Sequence, residues 1–132
     1  MNTLKIAIQK SGRLHDESIQ ILRDCGISVY NGNDQLKVTA SNFPLEVYYL
    51  RNSDIPQYLI DGVVDIAIVG DNLLVEKGQN IQIAEKLGFS KCKVSVAVPK
   101  SFNYNSIQDL NGLRVATSYP KTVVDYFSSK EI

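Results

Sequence analysis

The sequence is poor in the residues from which metal sites and disulfide frameworks are built. Its 132 residues include two cysteines, Cys25 and Cys92, and one histidine, His15. Two cysteines are too few for a disulfide framework, and neither stands at the spacing of metal ligands. Both lie in apolar patterns, which predicts two buried thiols. His15 has no partner nearby in the sequence, so we expect it to be a surface or capping residue and not a ligand or base.

Surplus charge and long apolar runs are also absent. The chain has 14 basic and 14 acidic residues. A neutral chain lacks the broad positive field that binds nucleic acid or anionic membranes, although a local phosphate site remains possible. No apolar run approaches the roughly 20 residues of a membrane span, and the first residues do not resemble a signal peptide. We therefore expect a cytoplasmic protein with no nucleic-acid or membrane partner.

The order of apolar patterns predicts an α/β fold. Short apolar runs that are typical of buried strands cover residues 4–8, 45–50 and 65–69. Further strands are expected at residues 27–29, 36–39, 81–84, 91–99 and 113–117, with a tight hairpin turn at residues 31–34. Helices are expected at residues 14–25, 54–63, 73–77 and 106–112, and from Pro120 onward. This alternation indicates a mixed, largely parallel sheet with helices on both faces.

Polar residues collect where predicted strands end and helices begin. Ligands bind beyond the carboxyl ends of the strands in such sheets, and parallel strands bring these ends to one edge. Four junctions are unusually polar, at residues 9–13, 51–54, 70–72 and 117–120. In the first, Lys10 and Arg13 flank Gly12 at a predicted helix N-terminus, where backbone N–H groups and the helix dipole favour an anion. We therefore expect a phosphate at this junction, although a plain turn with solvated cations fits the spacing equally well.

The other three junctions each allow a structural interpretation beside the functional one. Asp54 is suited to cap the next helix, with Arg51 in a surface ion pair. The Gly70–Asp71 loop is able to contact a ribose or simply form a turn. Tyr119 offers a flat face for a base, or packs over its own turn. No residue in these loops stands out as a catalytic acid or base.

Four sequence blocks together match one enzyme family in order and spacing. They are Leu4-Lys-Ile-Ala-Ile-Gln-Lys-Ser-Gly-Arg-Leu14, Arg51-x-x-Asp-Ile-Pro56, Asp61-Gly-Val-Val-Asp-Ile-Ala-Ile-Val-Gly70 and Leu110-Asn-Gly-Leu-Arg-Val-Ala-Thr-Ser-Tyr-Pro120. With these blocks the chain resembles the ATP phosphoribosyltransferases, more in their long form than in their short form. The resemblance implies a truncated, two-lobed catalytic fold similar to type II periplasmic binding proteins. Residues 1–90 would form most of lobe one, on the nucleotide side, and residues 91–132 the first half of lobe two.

The reaction that the resemblance implies is the first step of histidine biosynthesis. N1 of ATP attacks phosphoribosyl pyrophosphate, and pyrophosphate leaves with the assistance of Mg²⁺, giving N1-(5-phosphoribosyl)-ATP. The family's loop for phosphoribosyl pyrophosphate belongs to a later part of lobe two, so we expect residues 1–132 to be inactive alone. No metal ligand is expected in this chain, and the full-length form is expected to be a homo-oligomer.

The family's ATP-binding residues transfer by motif onto the four junctions. Residues 10–13 would contact phosphates, Arg51 would be a second cation positioned by Asp54, and Leu14 and Tyr119 would neighbour the adenine. The full set of expected binding residues for ATP or the product is Lys10, Ser11, Gly12, Arg13, Leu14, Arg51, Asp54, Gly70, Asp71, Ser118 and Tyr119.

Two other functions are compatible with the residues alone. A cytosolic small-ligand-binding module of the periplasmic-binding type would use the same sheet, and would prefer an amino acid, a carboxylate or an oxyanion. A flavodoxin-like interaction domain would bind no ligand, and the four polar loops would then be coincidental. The loop with Lys10 and Arg13 fits an enzyme or a binding module, whereas Arg51, Gly70 and Tyr119 favour a nucleotide.

Overall fold

A computed structural model describes residues 2–78 and 80–132 of the chain. These divide into a first unit, Met1–Lys91, and a second unit, Cys92–Ile132. The division falls close to the boundary expected from the resemblance, while the assignment of the units to two catalytic lobes stays a prediction. No helix in the described ranges is both long enough and apolar enough to cross a membrane.

A mixed sheet forms the centre of the first unit. Strand β1 (Leu4–Gln9) lies between β3 (Leu45–Leu50) and β4 (Ile66–Ala67) and is parallel to both. The short strand β2 (Lys37–Thr39) runs antiparallel to β3 at the edge, so the order is β2-β3-β1-β4. β1 therefore has a neighbour on each side and occupies the middle of the unit.

Helices cover both faces of this sheet. On one face, Leu22 of helix α1 (Arg13–Asp24) packs with Ile8 and Val47 of the strands. On the other face, Ile55 of helix α2 (Ile55–Ile60) packs with Ala7. Because successive strand residues point to opposite faces, the continuous apolar run of β1 serves both helices. The predicted α/β fold, with a largely parallel sheet and helices on both faces, is confirmed.

The chain path around β1 has the topology at which open α/β sheets commonly bind ligands. After β1 the chain passes through α1 and β2 to β3 on one side, and after β3 it passes through α2 to β4 on the other side. Where the connections diverge in this way, the carboxyl ends of the strands are left uncovered and form a binding crevice. The remaining helix of the first unit, α3 (Asp71–Lys77), follows β4 directly and begins two residues earlier than the sequence predicts.

The predicted strand at residues 27–29 is wrong, although the turn that follows it does form. The Asn42 side chain accepts a hydrogen bond from the Ser28 N–H at 2.8 Å and donates one to the Gly26 carbonyl at 2.7 Å. Asn31 closes the turn, because its Oδ1 accepts from the Gln35 N–H at 2.7 Å. Side-chain amides therefore take up backbone groups that a hairpin ladder would have used.

The second unit contains less regular structure than its sequence pattern predicts. Helix α4 (Pro120–Ser129) forms as expected, and a 3₁₀ turn (Ile107–Leu110) stands in place of the helix predicted at residues 106–112. The predicted strands at residues 91–99 and 113–117 do not form, and neither does the one at residues 81–84 in the first unit. A strand requires a neighbour to accept and donate its backbone hydrogen bonds, and in the described residues these segments have none. Val94 and Val96 consequently stay 55% and 52% exposed.

The two cysteines are exposed, so the prediction of buried thiols is wrong. Cys25 stands at the C-terminal cap of α1, one residue beyond the last turn that faces the sheet. Cys92 lies in one of the segments that remain uncovered. An apolar pattern buries a thiol only where another element packs over it, and none covers these two positions in the described chain.

Candidate functional site

Three of the four polar junctions meet at the carboxyl edge of the sheet in the first unit. They follow β1, β3 and β4, which are parallel. The backbone N–H of Lys10 donates to the Leu50 carbonyl at 2.9 Å, which joins the first junction to the end of β3. The fourth junction, with Ser118 and Tyr119, belongs to the second unit.

Gln9, the last residue of β1, connects the first two junctions and the segment that leads into the third. Its Nε2 donates to Asn52 Oδ1 at 3.1 Å and to the Ile68 carbonyl at 2.8 Å. The side chain is only 4% exposed. Sequence reasoning missed Gln9 as a functional candidate. The available signal was a polar residue that directly continues a buried apolar strand, where burial demands hydrogen-bond partners.

The loop after β1, residues 10–13, is called the cationic loop below. Gly12 is the N-cap residue of α1, with φ 94° and ψ −176°. A Cβ built on Gly12 would meet no atom within 4 Å, so the space in front of the loop is open. Lys10, Ser11 and Arg13 are exposed around it, and no side chain caps the helix. The loop therefore presents two cations beside uncapped backbone donors, an arrangement that favours an anion.

Two neighbours of the cationic loop pack inward from the first turns of α1. Leu14 is half-buried, and its carbonyl accepts a 2.6 Å hydrogen bond from the Ser18 hydroxyl. His15 Nδ1 lies 2.7 Å from the Gln9 carbonyl oxygen, and the ring centroid lies 5.8 Å from that of Tyr49. His15 thus has a partner that the sequence did not show, because the first turn of the helix folds back over the end of β1. Burial raises the pKa of the Tyr49 phenol.

The second junction brings Arg51 to the same edge. Arg51 is exposed, and a 3₁₀ turn (Asn52–Asp54) leads from it into α2. Asp54 occupies the N-cap position but makes no side-chain cap hydrogen bond. Across residues 2–78 no ion pair joins Asp54 to Arg51, so the surface pair of the structural alternative does not form. The two residues are connected through the main chain instead, because the Asp54 N–H donates to the Arg51 carbonyl at 2.9 Å.

The third junction follows β4 with Gly70 and Asp71. Gly70 is the N-cap residue of α3, and a Cβ there would lie 2.7 Å from Asn72 Oδ1. The Asn72 side chain folds over the helix start and accepts from the Leu73 N–H at 3.0 Å. Asp71 is exposed in the first turn. A small residue at position 70 therefore leaves room for the Asn72 side chain to close this loop.

Ser118 and Tyr119 form the corresponding junction of the second unit. Tyr119 is the N-cap residue of α4, and its N–H donates to Thr117 Oγ1 at 2.9 Å. Pro120 begins the helix, as the sequence predicts for a proline at a first turn. Tyr119 is half-buried and Ser118 is exposed.

The described residues do not fit a magnesium site. Nowhere in residues 2–78 and 80–132 do three or more histidine, cysteine, aspartate or glutamate side chains group to hold a metal ion. Mg²⁺ prefers carboxylate and phosphate oxygens, whereas the candidate residues at the edge described above include three exposed cations, Lys10, Arg13 and Arg51, beside two exposed carboxylates, Asp54 and Asp71. Its chemistry suits an anion.

Comparison with known proteins identifies the family. A family model for ATP phosphoribosyltransferase matches residues 51–132. The chain belongs to the ATP phosphoribosyltransferase family. A curated ATP phosphoribosyltransferase from Cytophaga hutchinsonii is 50% identical over 129 residues, which cover 98% of this chain and 45% of the relative. One from Parabacteroides distasonis is 43% identical over 129 residues, covering 98% of this chain and 46% of the relative.

The chain thus spans just under half the length of the ATP phosphoribosyltransferases that it matches. A search of solved structures finds an ATP phosphoribosyl transferase (HisG:HisZ) complex from Thermotoga maritima. It is 29% identical, with a TM-score of 0.49, over 58% of this chain and 36% of that one. A similarity at this score does not by itself establish a shared fold.

Proposed function

We propose that this chain carries the ATP-binding side of an ATP phosphoribosyltransferase. The enzyme would transfer the 5-phosphoribosyl group of phosphoribosyl pyrophosphate to N1 of ATP, the first step of histidine biosynthesis. The observation that supports this most strongly is the meeting of the cationic loop with Arg51 at one edge of the sheet. Membership of the family is consistent with a nucleotide as the anion at that edge.

The cationic loop and Arg51 would bind the phosphates. Lys10, Arg13 and Arg51 are exposed and carry no carboxylate partner in residues 2–78, so their charges are available to a ligand. Hydrogen bonds between ionised partners are shorter and about twice as strong as neutral ones. Gly12 has no side chain, and no atom lies within 4 Å of the place that a Cβ would take, so a phosphate would be able to approach the backbone closely at this residue.

The remaining residues would hold the nucleoside. In the first unit, Leu14 would lie beside the adenine. In the second unit, the family motif alone suggests Ser118 and Tyr119 as nucleotide contacts. Gly70 and Asp71 would form part of the cleft wall near the ribose, where an exposed carboxylate is able to accept from a hydroxyl. Asp54 would hold the main chain of Arg51 through the hydrogen bond from the Asp54 N–H to the Arg51 carbonyl.

The chemistry would depend on placement of the two substrates. N1 of ATP forms a bond to the anomeric carbon of phosphoribosyl pyrophosphate while the bond from that carbon to the pyrophosphate oxygen breaks. Pyrophosphate leaves with the bonding electrons, and N1-(5-phosphoribosyl)-ATP remains. Orientation and fixed positive charge are sufficient to accelerate such a displacement without a protein acid or base. The family's Mg²⁺ would accompany phosphoribosyl pyrophosphate, and we assign it no ligand in this chain.

A polypeptide of residues 1–132 alone should bind ATP without transferring phosphoribosyl groups to it. It spans 45% of the length of its relative from Cytophaga hutchinsonii, and its candidate residues are all proposed contacts of ATP and not of phosphoribosyl pyrophosphate. We expect the whole protein to be a cytoplasmic homo-oligomer.

Titration calorimetry with ATP tests this function. Arg13→Ala and Arg51→Ala should each weaken binding about tenfold to a hundredfold, since a hydrogen bond to a charged group contributes about 1.5–3 kcal/mol. Arg23→Ala is the matched control, because Arg23 is an exposed arginine in the last turn of α1, at the opposite end from the cationic loop. Absence of ATP binding by the folded wild type, or an equal loss in all three variants, would contradict a nucleotide site at this edge.

A further inference from the structure

We propose that Gln9 is a positioning residue, which holds the cationic loop at the distance from Arg51 that a phosphate requires. This inference deepens the function proposed above and rests on it. Gln9 would not touch the nucleotide. It would act through the loop that immediately follows it and through Asn52, the neighbour of Arg51.

The hydrogen bonds of Gln9 reach two distant parts of the chain. Nε2 donates to Asn52 Oδ1, 43 residues away, and to the Ile68 carbonyl, 59 residues away. Asn52 lies in the second junction beside Arg51, and Ile68 lies two residues before Gly70, where the third junction begins. A single buried side chain thus fixes the distances between segments that follow three different strands. The strand pairing of the sheet ends before these segments and does not fix those distances.

The main chain of Gln9 is anchored as firmly as its side chain. Its carbonyl oxygen lies 2.7 Å from His15 Nδ1, on the far side of the cationic loop. The next backbone N–H, that of Lys10, donates to the Leu50 carbonyl at 2.9 Å. The start of the cationic loop is therefore held against β3 by the Lys10 N–H. Its end is held near Gln9 by His15 in the first turn of α1.

The remaining polar atom of Gln9 argues against a role in stability alone. Its Oε1 is buried and has no hydrogen-bond partner in the described residues. A buried acceptor without a partner is unfavourable, and an apolar side chain of similar length would avoid it. What a glutamine supplies here, and methionine would not, is the pair of Nε2 hydrogen bonds to the neighbouring junctions.

The test compares Gln9→Met with Gln20→Met in the 132-residue chain. Gln20 is the matched control, because its Nε2 donates to Asp24 Oδ1 at 2.8 Å on the exposed surface of α1, away from the strand ends. Gln9→Met should weaken ATP binding about tenfold, the effect expected from losing one or two modest hydrogen bonds. In the ligand-free chain, hydrogen exchange of the Lys10 amide should accelerate severalfold, whereas that of the Val47 amide in the sheet should not.

A double-mutant cycle separates positioning from general destabilisation. Asn52→Ala should also weaken ATP binding, and Gln9→Met with Asn52→Ala should be no worse than Gln9→Met alone, because both remove the same hydrogen bond. Additive losses would overturn the positioning role. If Gln9→Met does not fold, Asn52→Ala is tested for the same two changes, weaker ATP binding and faster exchange at Lys10.

The two proposals fail in different ways. If the wild type and Gln9→Met bind ATP equally well, the positioning role of Gln9 is overturned and the proposed function is unaffected. Folded wild-type chain that binds no ATP overturns the function. In that case the hydrogen exchange of the Lys10 amide still tests the role of Gln9. An unchanged exchange rate in Gln9→Met overturns the positioning of the cationic loop by Gln9, and a faster rate supports it.

Discussion

Replacing Gly12 with alanine tests whether the backbone of the cationic loop is held in the conformation described. Gly12 has φ 94° and ψ −176°, a region that essentially only glycine occupies. An added Cβ would meet no atom within 4 Å, so steric overlap contributes nothing and the cost is that of the backbone conformation alone. Residues held in such regions cost about 1–3 kcal/mol. We expect Gly12→Ala to lower the free energy of unfolding by that amount.

The assay is urea unfolding of the ligand-free chain, followed by calorimetry with ATP. Gly62→Ala is the matched control, because Gly62 also has a positive φ, of 72°, and open space around its Cβ, but lies after α2. Gly62→Ala should lower the free energy of unfolding by about 1–2 kcal/mol, the cost of a left-handed backbone conformation, and leave the ATP affinity unchanged. Gly12→Ala should lower both the free energy of unfolding and the ATP affinity. If the free energy of unfolding of Gly12→Ala lies within about 0.5 kcal/mol of the wild-type value, the cationic loop is not held in the backbone conformation described.

Two further predictions concern the core and the second unit. Ile55→Ala should lower the free energy of unfolding by about 2–5 kcal/mol, because Ile55 is fully buried between α2 and the sheet; Ile60→Ala, half-exposed on the same helix, should cost much less in the same urea assay. Hydrogen bonds from the backbone N–H groups of Ser106 and Asn105 lower the pKa of Asp109 in the folded chain. The carboxylate therefore stabilises the fold at pH values above the pKa of Asp109 in the unfolded chain. This stabilisation is lost as the pH falls through the lower pKa of the folded chain. Asp109→Asn should therefore be less stable at pH 7 and match the wild type at the lowest pH; a constant gap across a pH series would contradict this.

The site edge is the part of the fold that the sequence predicts best. The apolar runs that become β1 and β3 are local features, and each is followed at once by polar residues such as Lys10 and Arg51. Each of these runs is separated from the next by a segment that contains a predicted helix, and such connections are long enough to join parallel strands, whose carboxyl ends then lie at one edge. These inferences require no knowledge of which residues touch across the fold.

The missed features all depend on distant partners. The alternating pattern of residues 91–99 is typical of a strand, yet a strand forms only beside another. The exposure of Cys25 depends on what packs over the end of α1. Gln9 reads as the first polar residue of a loop, and its burial and its bonds depend on Asn52 and Ile68, far along the chain. Local sequence patterns do not show which distant residues will be in contact.

The central place of β1 links ligand occupancy to folding. The same strand supplies Ile8 to the core and ends at Gln9, where the candidate ligand edge begins. Unfolding of the first unit would therefore require release of anything bound at that edge, and mass action would raise the apparent stability by about RT ln(1 + [L]/Kd). At ligand concentrations about a hundredfold above Kd this amounts to about 2.7 kcal/mol. A thermal melt of the chain would then report saturation without any catalytic turnover.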